Sequence, residues 1–334
     1  MKFAVVGDIH ISDTPPSTRK DDYKSVVLGK LEFIINWVNA VGDHSAILLV
    51  GDVFDKKKPS SNSHSMVASL ITLFEKSTVP IYVIPGNHDI RGNMSEFDKQ
   101  PLNVLIQSGV VNLLDGQTPV LFDNGDIKVS LNGIHFTPAM DTKAGIEMYS
   151  LPHAESDIKI SMFHQMILPD GVRYPSDYVN FSDLKDINAD VIISGHFHGG
   201  YSPSMITIGN YEKHFINGGA ITRGTADQAN FDKVPKFLSL VIENNGAIAP
   251  TVQAFDINIP FIDANEVFDF TVIDRNKKKK DLHKFMDSLS EMENQSLTTQ
   301  EPGGIINALR ALGMDQRLVS IAQQYLENAY AELS

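Results

Sequence analysis

The sequence predicts an α/β fold in which a largely parallel sheet is covered on both faces. Of five short apolar runs, residues 3–6, 46–50, 81–84 and 191–193 are continuously apolar rather than alternating, and 158–163 is interrupted only by Lys159 and Ser161. Their length, branching and flanking glycines are those of buried strands. Between them, apolar residues recur at the spacing of helices. Each run also ends in a residue able to hold a divalent metal: Asp8 and His10, Asp52, Asn87, His164, and His196 with His198.

The elements follow in order. After the first strand, Val27, Leu31, Ile34, Ile35 and Val38 recur at helical spacing and stop at Gly42, which predicts a crossover helix over 22–41. Met66, Leu70, Leu73 and Phe74 mark a second helix with residues 60–62 as candidate caps, and Leu102, Leu105 and Ile106 a short third one ending at Gly109. Residues 129–131 read as a further strand. The stretch 170–183, with Asp170-Gly171, Tyr174-Pro175 and Tyr178, is expected to be a long loop after a ligand, where loops shape substrate access. Its tyrosines have two readings, loop packing and base stacking. In the last third, 238–242, 251–255 and 268–273 read as strands of a small mixed cap and 281–292 as a helix. After Pro302-Gly303-Gly304, the stripe Leu318, Ile321, Ala322, Tyr325 and Ala329 marks an amphipathic terminal helix. The expected domains are 1–225, catalytic; 226–300, a DNA-binding cap; and 301–334, C-terminal helices.

An open α/β sheet binds its ligands at the carboxyl ends of its strands. Residues two apart at a strand end point to the same side, so Asp8 with His10, and His196 with His198, can each converge on one point. A lone Gly-Asp or Gly-His after a strand is ordinarily a turn; five in succession point to a metal centre. A two-metal centre needs a bridging carboxylate, and Asp52 suits that place. The donors are carboxylate, amide and imidazole without thiolate, a set that fits manganese, iron or zinc better than a magnesium-only site. His44, His64, His135, His153, His214 and His283 lack the strand-end glycine and read as surface or packing residues, His135 least securely because it follows the 129–131 strand.

Asp8-x-His10, Gly51-Asp52-x-x-Asp55, Gly86-Asn87-His88-Asp89, His164 and Gly195-His196-x-His198 together resemble the signature of the calcineurin-like metallophosphoesterases across residues 1–225. The resemblance implies a β-sandwich flanked by helices that holds two divalent ions, Mn2+ foremost, with Mg2+, Fe2+ and Zn2+ as alternatives. One ion would take Asp8, His10, Asp52 and His198, the other Asp52, Asn87, His164 and His196. His88 would be no ligand but would meet the phosphate and stabilise or protonate the leaving oxygen, a general-acid role. Asp55 resembles the carboxylate that orients this histidine; its other reading is a turn or helix N-terminal carboxylate.

Residues 51–60, with Gly51-Asp52-Val53-Phe54, three lysines and Pro59-Ser60, resemble the second motif of SbcD-type DNA repair nucleases. Phosphoprotein phosphatases carry an arginine where Lys56 stands. His164-Gln165, Asn217-Gly218-Gly219-Ala220 and Val234-Pro235-Lys236-Phe237 resemble the same nuclease branch. Asp55 is a departure from cellular and archaeal members, which often carry histidine there, and agrees better with bacterial and bacteriophage ones. The implied function is a DNA exonuclease or endonuclease acting with an SbcC-like coiled-coil ATPase; the second and third helices resemble elements by which this family dimerises, while the ordinary reading of their apolar faces is core packing. The alternative is a stand-alone phosphodiesterase for nucleotides or other small esters.

Composition sets bounds on these readings. The 334 residues carry 28 Lys and Arg against 41 Asp and Glu, a formal net charge of −13, which argues against tight solitary binding to DNA. The basic candidates are local: Lys56, Lys57, Lys58 and Arg91 beside the expected metal site, then Arg19, Lys20, Arg173 and residues 277–280. A solvated face is the ordinary reading of any one of them. With no cysteine, disulfides and thiolate sites are excluded. No run approaches the roughly 18 apolar residues of a membrane span, and Asp8 breaks the apolar start too early for a secretory signal. The expectation is a cytoplasmic protein, in the host if phage-encoded.

Overall fold

Four parallel strands, β1 (Lys2–Val6), β2 (Ala46–Leu49), β3 (Ile81–Val83) and β4 (Asn112–Leu113), lie side by side in chain order. The helices α1 (Tyr23–Val41), α2 (His64–Phe74) and α3 (Pro101–Gln107) fall between them along the chain. Continuous apolarity is explained by two cores. Phe3, Val5, Ala46 and Leu48 face the second sheet, while Ala4, Val6, Ile47 and Leu49 pack against the stripe of α1 and the apolar faces of α2 and α3. α1 starts where the Asp22 carboxylate accepts the Ser25 N–H at 3.2 Å and stops at Gly42, whose φ of 71° suits glycine. The cap of α2 is Ser63 rather than residues 60–62: its Oγ accepts from Met66 N, while residues 59–61 form a 3₁₀ turn.

The second sheet holds β5 (Val120–Asp123), β6 (Lys128–Ile134), β7 (Ile158–Phe163), β10 (Val191–Ser194), β11 (Tyr201–Ile208) and β12 (Tyr211–Asn217), in the order β11-β12-β10-β7-β6-β5. A two-stranded pair, β8 (Ile167–Leu168) and β9 (Val179–Asn180), brackets the loop expected after His164. The outer face of this sheet is covered by 3₁₀ turns instead of long helices, with Met140, Tyr149, Phe181 and Leu184 packed on Phe163, Ile192 and Phe215.

The structure describes residues 1–91, 94–208, 211–244, 246, 250–273, 275, 306, 310, 315–317 and 319–324 of this computed structural model. It separates a unit Met1–Phe268 from a unit Asp269–Ser334. This division falls at 268, beyond the boundary of 225 expected from the sequence. The strands expected in a cap, β13 (Lys236–Glu243) and β14 (Thr251–Asn258), form a hairpin that extends the first sheet, β13 lying antiparallel to β1 with Lys2 opposite Val241. The reason is apolar: Leu238, Leu240 and Ile242 belong to the core between the sheets. The strand expected over 268–273 is also corrected. Phe268 makes only an isolated bridge to Arg19, and residues 270–273 are helical because the Asp269 carboxylate accepts from Thr271 N and Val272 N. Ile321 and Ala322 are helical as expected; residues 277–280, the 281–292 helix, His283, Leu318, Tyr325 and Ala329 lie outside the described residues. Among the described residues no helix is long and apolar enough to cross a membrane.

Candidate metal centre

The strands β1, β2, β3, β7 and β10 deliver their carboxyl ends to one edge of the sandwich, as parallel strands must when they enter from the same side. One hydrogen bond ties the two sheets together, His196 N donating to Asp8 Oδ1 at 3.0 Å, and a second joins neighbouring strand ends of the first sheet, His88 N donating to Asp52 Oδ1 at 2.7 Å. Asp8, His10, Asp52 and His198 bring ligand atoms within 4.8 Å of one another, and so do Asp52, His164 and His196. Asp52 belongs to both groups. Asn87 Oδ1 lies 3.1 Å from His164 Nε2, so all seven expected ligands meet in one cluster.

Local backbone is bent to achieve this. Among the described residues, His10, Asp52 and His196 are the non-glycine residues with positive φ, at 51°, 47° and 70°. Such conformations are sparsely populated and gather at sites where function requires them. Gly51, at φ 92°, has no room for a side chain, because a Cβ would strike the His164 ring; a Cβ on Gly86 would strike Asp52.

The cluster is built to surround positive charge. Asp8 and His164 are fully buried and Asp52 nearly so. Asp8 Oδ2 and Asp52 Oδ2 have no hydrogen-bond partner among the described residues, which is costly for buried carboxylate oxygens. His164 Nδ1 lies 2.7 Å from the Val50 carbonyl, which can only accept, so Nδ1 carries the proton and Nε2 faces Asp52 Oδ2 at 3.3 Å and Asp8 Oδ1 at 3.6 Å. Burial would neutralise this imidazole, yet Asp52 and Asp8 overcome burial and raise it to about 10. Burial alone would raise Asp52, and His164 and His10 instead hold it far below the carboxylate range. His10 is likewise raised against burial by Asp55, Asp52 and Asp8, and its Nε2 sits 2.9 Å from His198 Nε2. Unpaired carboxylate oxygens and imidazole nitrogens turned toward one another fit divalent cations, which would replace those protons.

His88 stands beside the cluster, its ring 4.9 Å from that of His10. Its Nδ1 donates to the Asp55 carbonyl at 2.7 Å. The expected contact from the Asp55 carboxylate is therefore corrected: that carboxylate turns to Lys56 Nζ at 2.6 Å and toward His10 Nδ1 at 3.6 Å. Lys56, Lys57, Lys58 and Arg91 are all exposed, and Lys56 is paired with the Asp55 carboxylate at the site's edge. Arg19 is buried in a fork with Asp21 and donates to the Arg223 carbonyl, and Lys20 donates to the Asn265 carbonyl, so neither is a free rim cation. Tyr174 packs edge-on against Phe197, the loop-packing reading.

Two contributions escaped the sequence reading. The buried Asp89 carboxylate accepts from Val53 N, Phe54 N and Gly86 N, binding the second motif to the third. His135, read as packing, lines a cavity of 310 Å³ together with Asn87, Ile90, Met94 and Phe136. The position of Asp89 directly after His88 was the available signal; for His135 it was its place at the end of β6.

Known proteins resemble this chain. A probable cyclic nucleotide phosphodiesterase of Coxiella burnetii is 23% identical over 214 residues, 61% of this chain and 78% of that protein. The DNA double-strand break repair protein Mre11 of Saccharolobus solfataricus is 23% identical over 166 residues, 48% of this chain and 42% of that protein, so the match spans less than half of Mre11. The solved structure of TT1561 of Thermus thermophilus aligns with a TM-score of 0.43 at 12% identity, covering 76% of this chain and 98% of that one. Residues 1–200, which supply all seven clustered donors and His88, match the family model described as calcineurin-like phosphoesterase, and the chain belongs to that family.

Proposed function

We propose that the protein is a dinuclear-metal phosphodiesterase that acts as the DNA nuclease subunit of an SbcCD-like repair complex. The observation that carries the phosphodiesterase reading is the sharing of Asp52 between two ligand groups with His88 directly beside them. One ion is assigned to Asp8, His10, Asp52 and His198, the other to Asp52, Asn87, His164 and His196. Manganese suits this mixed oxygen and nitrogen set. Bound divalent ions would supply water activation and neutralisation of phosphoryl charge.

The chain's own residues do the rest. Because the Asp55 carbonyl fixes the proton on His88 Nδ1, the second ring proton of the imidazolium sits on Nε2, where it can pass to the departing oxygen. Asp89 holds the amides of both motif loops still, and positioned groups of this kind set the geometry on which turnover depends.

The nuclease reading is supported by the 51–60 segment, by the exposed Lys57, Lys58 and Arg91, and by the likeness to Mre11. DNA, an SbcC-like ATPase and a second copy of the chain are the proposed partners. With a net charge of −13, most of the DNA affinity would have to come through such partners. The stand-alone phosphodiesterase reading is favoured by a different observation, the cavity of single-nucleotide size beside Asn87, together with the longer match to the Coxiella protein. The experiment is to give purified, manganese-loaded protein labelled linear and hairpin DNA, then bis-p-nitrophenyl phosphate and cyclic nucleotides. Cleavage of DNA ends or hairpins is expected. Activity confined to the small esters, even with the cognate ATPase present, would sink the nuclease reading.

A further inference from the structure

The cavity beside the metal cluster has one wall in common with it, Asn87. Its volume of 310 Å³ is near the lower end of small-molecule sites, about 300–1,000 Å³. Ile90, Met94 and Pro138 supply apolar surface, His135 and Thr137 supply a few polar groups, and Lys57 adds a cation.

Phe136 is the central feature of this wall. Its ring lies 5.3 Å from the His196 ring, tilted by 47°, and 6.3 Å from that of His164. The backbone beneath it is fixed on both sides. Phe136 N donates to the Pro85 carbonyl at 2.9 Å, and Thr137 exchanges two 2.9 Å bonds with the Gln165 amide, which the buried Asp141 also holds. An aromatic face that is anchored in advance and only partly buried is a stacking platform at low entropic cost.

An occupant whose phosphate rests on the metal cluster would project its substituent past Asn87 into this space. Thr137 is already bonded to Gln165 and to the His135 carbonyl, so the polar demand falls on the His135 imidazole, which a lipid or alkyl group would leave against apolar atoms, and a stacked dinucleotide exceeds the volume. A single nucleobase meets both demands, having a π-face for Phe136 and edge groups for the imidazole. We propose that this cavity is the subsite for the nucleobase adjoining the scissile phosphate, with Phe136 as its stacking platform. The assignment rests on the phosphodiesterase reading, and the base can arrive on a DNA strand or on a free nucleotide.

The test compares kcat/KM for thymidine 5′-(p-nitrophenyl) phosphate with that for methyl p-nitrophenyl phosphate, which shares the leaving group but lacks a base. Wild type is expected to prefer the thymidine ester. Phe136→Leu is expected to cut that preference by about 10-fold or more through KM, and Phe136→Trp to preserve or raise it, with metal content and thermal melting confirming that each variant is folded and loaded. An equal preference in wild type and the leucine variant overturns the proposal. If wild type cleaves neither ester, the phosphodiesterase reading fails, and the subsite is judged by calorimetric binding of thymidine monophosphate to the manganese-loaded protein. Binding weakened by Phe136→Leu supports the subsite, and absence of binding rejects it. Repeating the variants with oligothymidylate and cyclic AMP identifies the source: a variant effect on either one supports the subsite, and an effect on neither rejects it.

Discussion

His88 reaches the cluster edge through a backbone carbonyl rather than a carboxylate, and that difference decides what its removal does. Its ring bonds to the Asp55 carbonyl and packs edge-on against His10, and its main-chain N–H bonds to Asp52. His88→Ala removes only the ring. The variant is expected to retain both metals by elemental analysis while losing about 10²- to 10⁴-fold in turnover; loss of metal would show that His88 is a ligand instead. Asp89 works differently. Both of its oxygens accept main-chain N–H groups, and burial together with the neighbouring Asp52 charge raises it to about 7. In Asp89→Asn one oxygen becomes an amide donor facing a donor, so denaturant unfolding is expected to show a loss of about 1–3 kcal/mol. A variant as stable as wild type would mean that the three amides find other partners. The clustered donors were legible in the sequence because each follows an apolar run at a strand end. Asp89 was not, since a carboxylate that holds amides has the same neighbours as one in a turn. Phe136 was hidden for a similar reason: an aromatic after a strand looks like core.

At the scale of elements, α1 to α3 and the strands that carry ligands were legible because each pattern has a local cause, a stripe or a continuous run ended by a glycine. The membership of β13 and β14 was not. Alternation and length identify a strand but not the sheet it joins, which here is set by long-range pairing of β13 with β1 and by Leu238, Leu240 and Ile242 reaching the inter-sheet core. The same hairpin gives the domain boundary a direct test. A chain ending at 225 leaves the β1 edge unpaired and uncovers Phe3 and Val5, whereas one ending at 268 keeps the entire first sheet. The 1–268 protein is expected to melt cooperatively by circular dichroism and the 1–225 protein to lack a cooperative transition. A sharp melt for the shorter chain would show that β13 and β14 are dispensable.

For the whole molecule, ionisation and metal binding both feed into folding stability. The His153 imidazole, set between Ser130 and Ser161, is pushed down from 6.5 to about 4, mainly by burial and further by Lys159. Below its ordinary value the unfolded chain takes up a proton that the folded chain refuses until about pH 4, so this group's contribution is lost as pH falls through that window. His153→Gln, which cannot titrate, is expected to flatten the stability–pH curve between those values. The donor cluster is expected to have the larger effect. Asp8, Asp52 and Asp89 lie buried in one small volume, and two of the carboxylate oxygens find no hydrogen bond among the described residues. Cations bound there would remove repulsion in the folded state only, since the candidate donors come from five separate strand ends that the unfolded chain does not assemble. Each site contributes about 2.7 kcal/mol when the ion is at a hundredfold excess over Kd, and a domain of this size gains about 2–4 °C in Tm per kcal/mol. Manganese added to chelator-treated protein is therefore expected to raise Tm by several degrees in wild type. Asp52→Asn, which weakens the shared ligand of both groups, is expected to lose most of that rise. A wild-type Tm indifferent to manganese, magnesium, iron and zinc would mean that the cluster holds no cation.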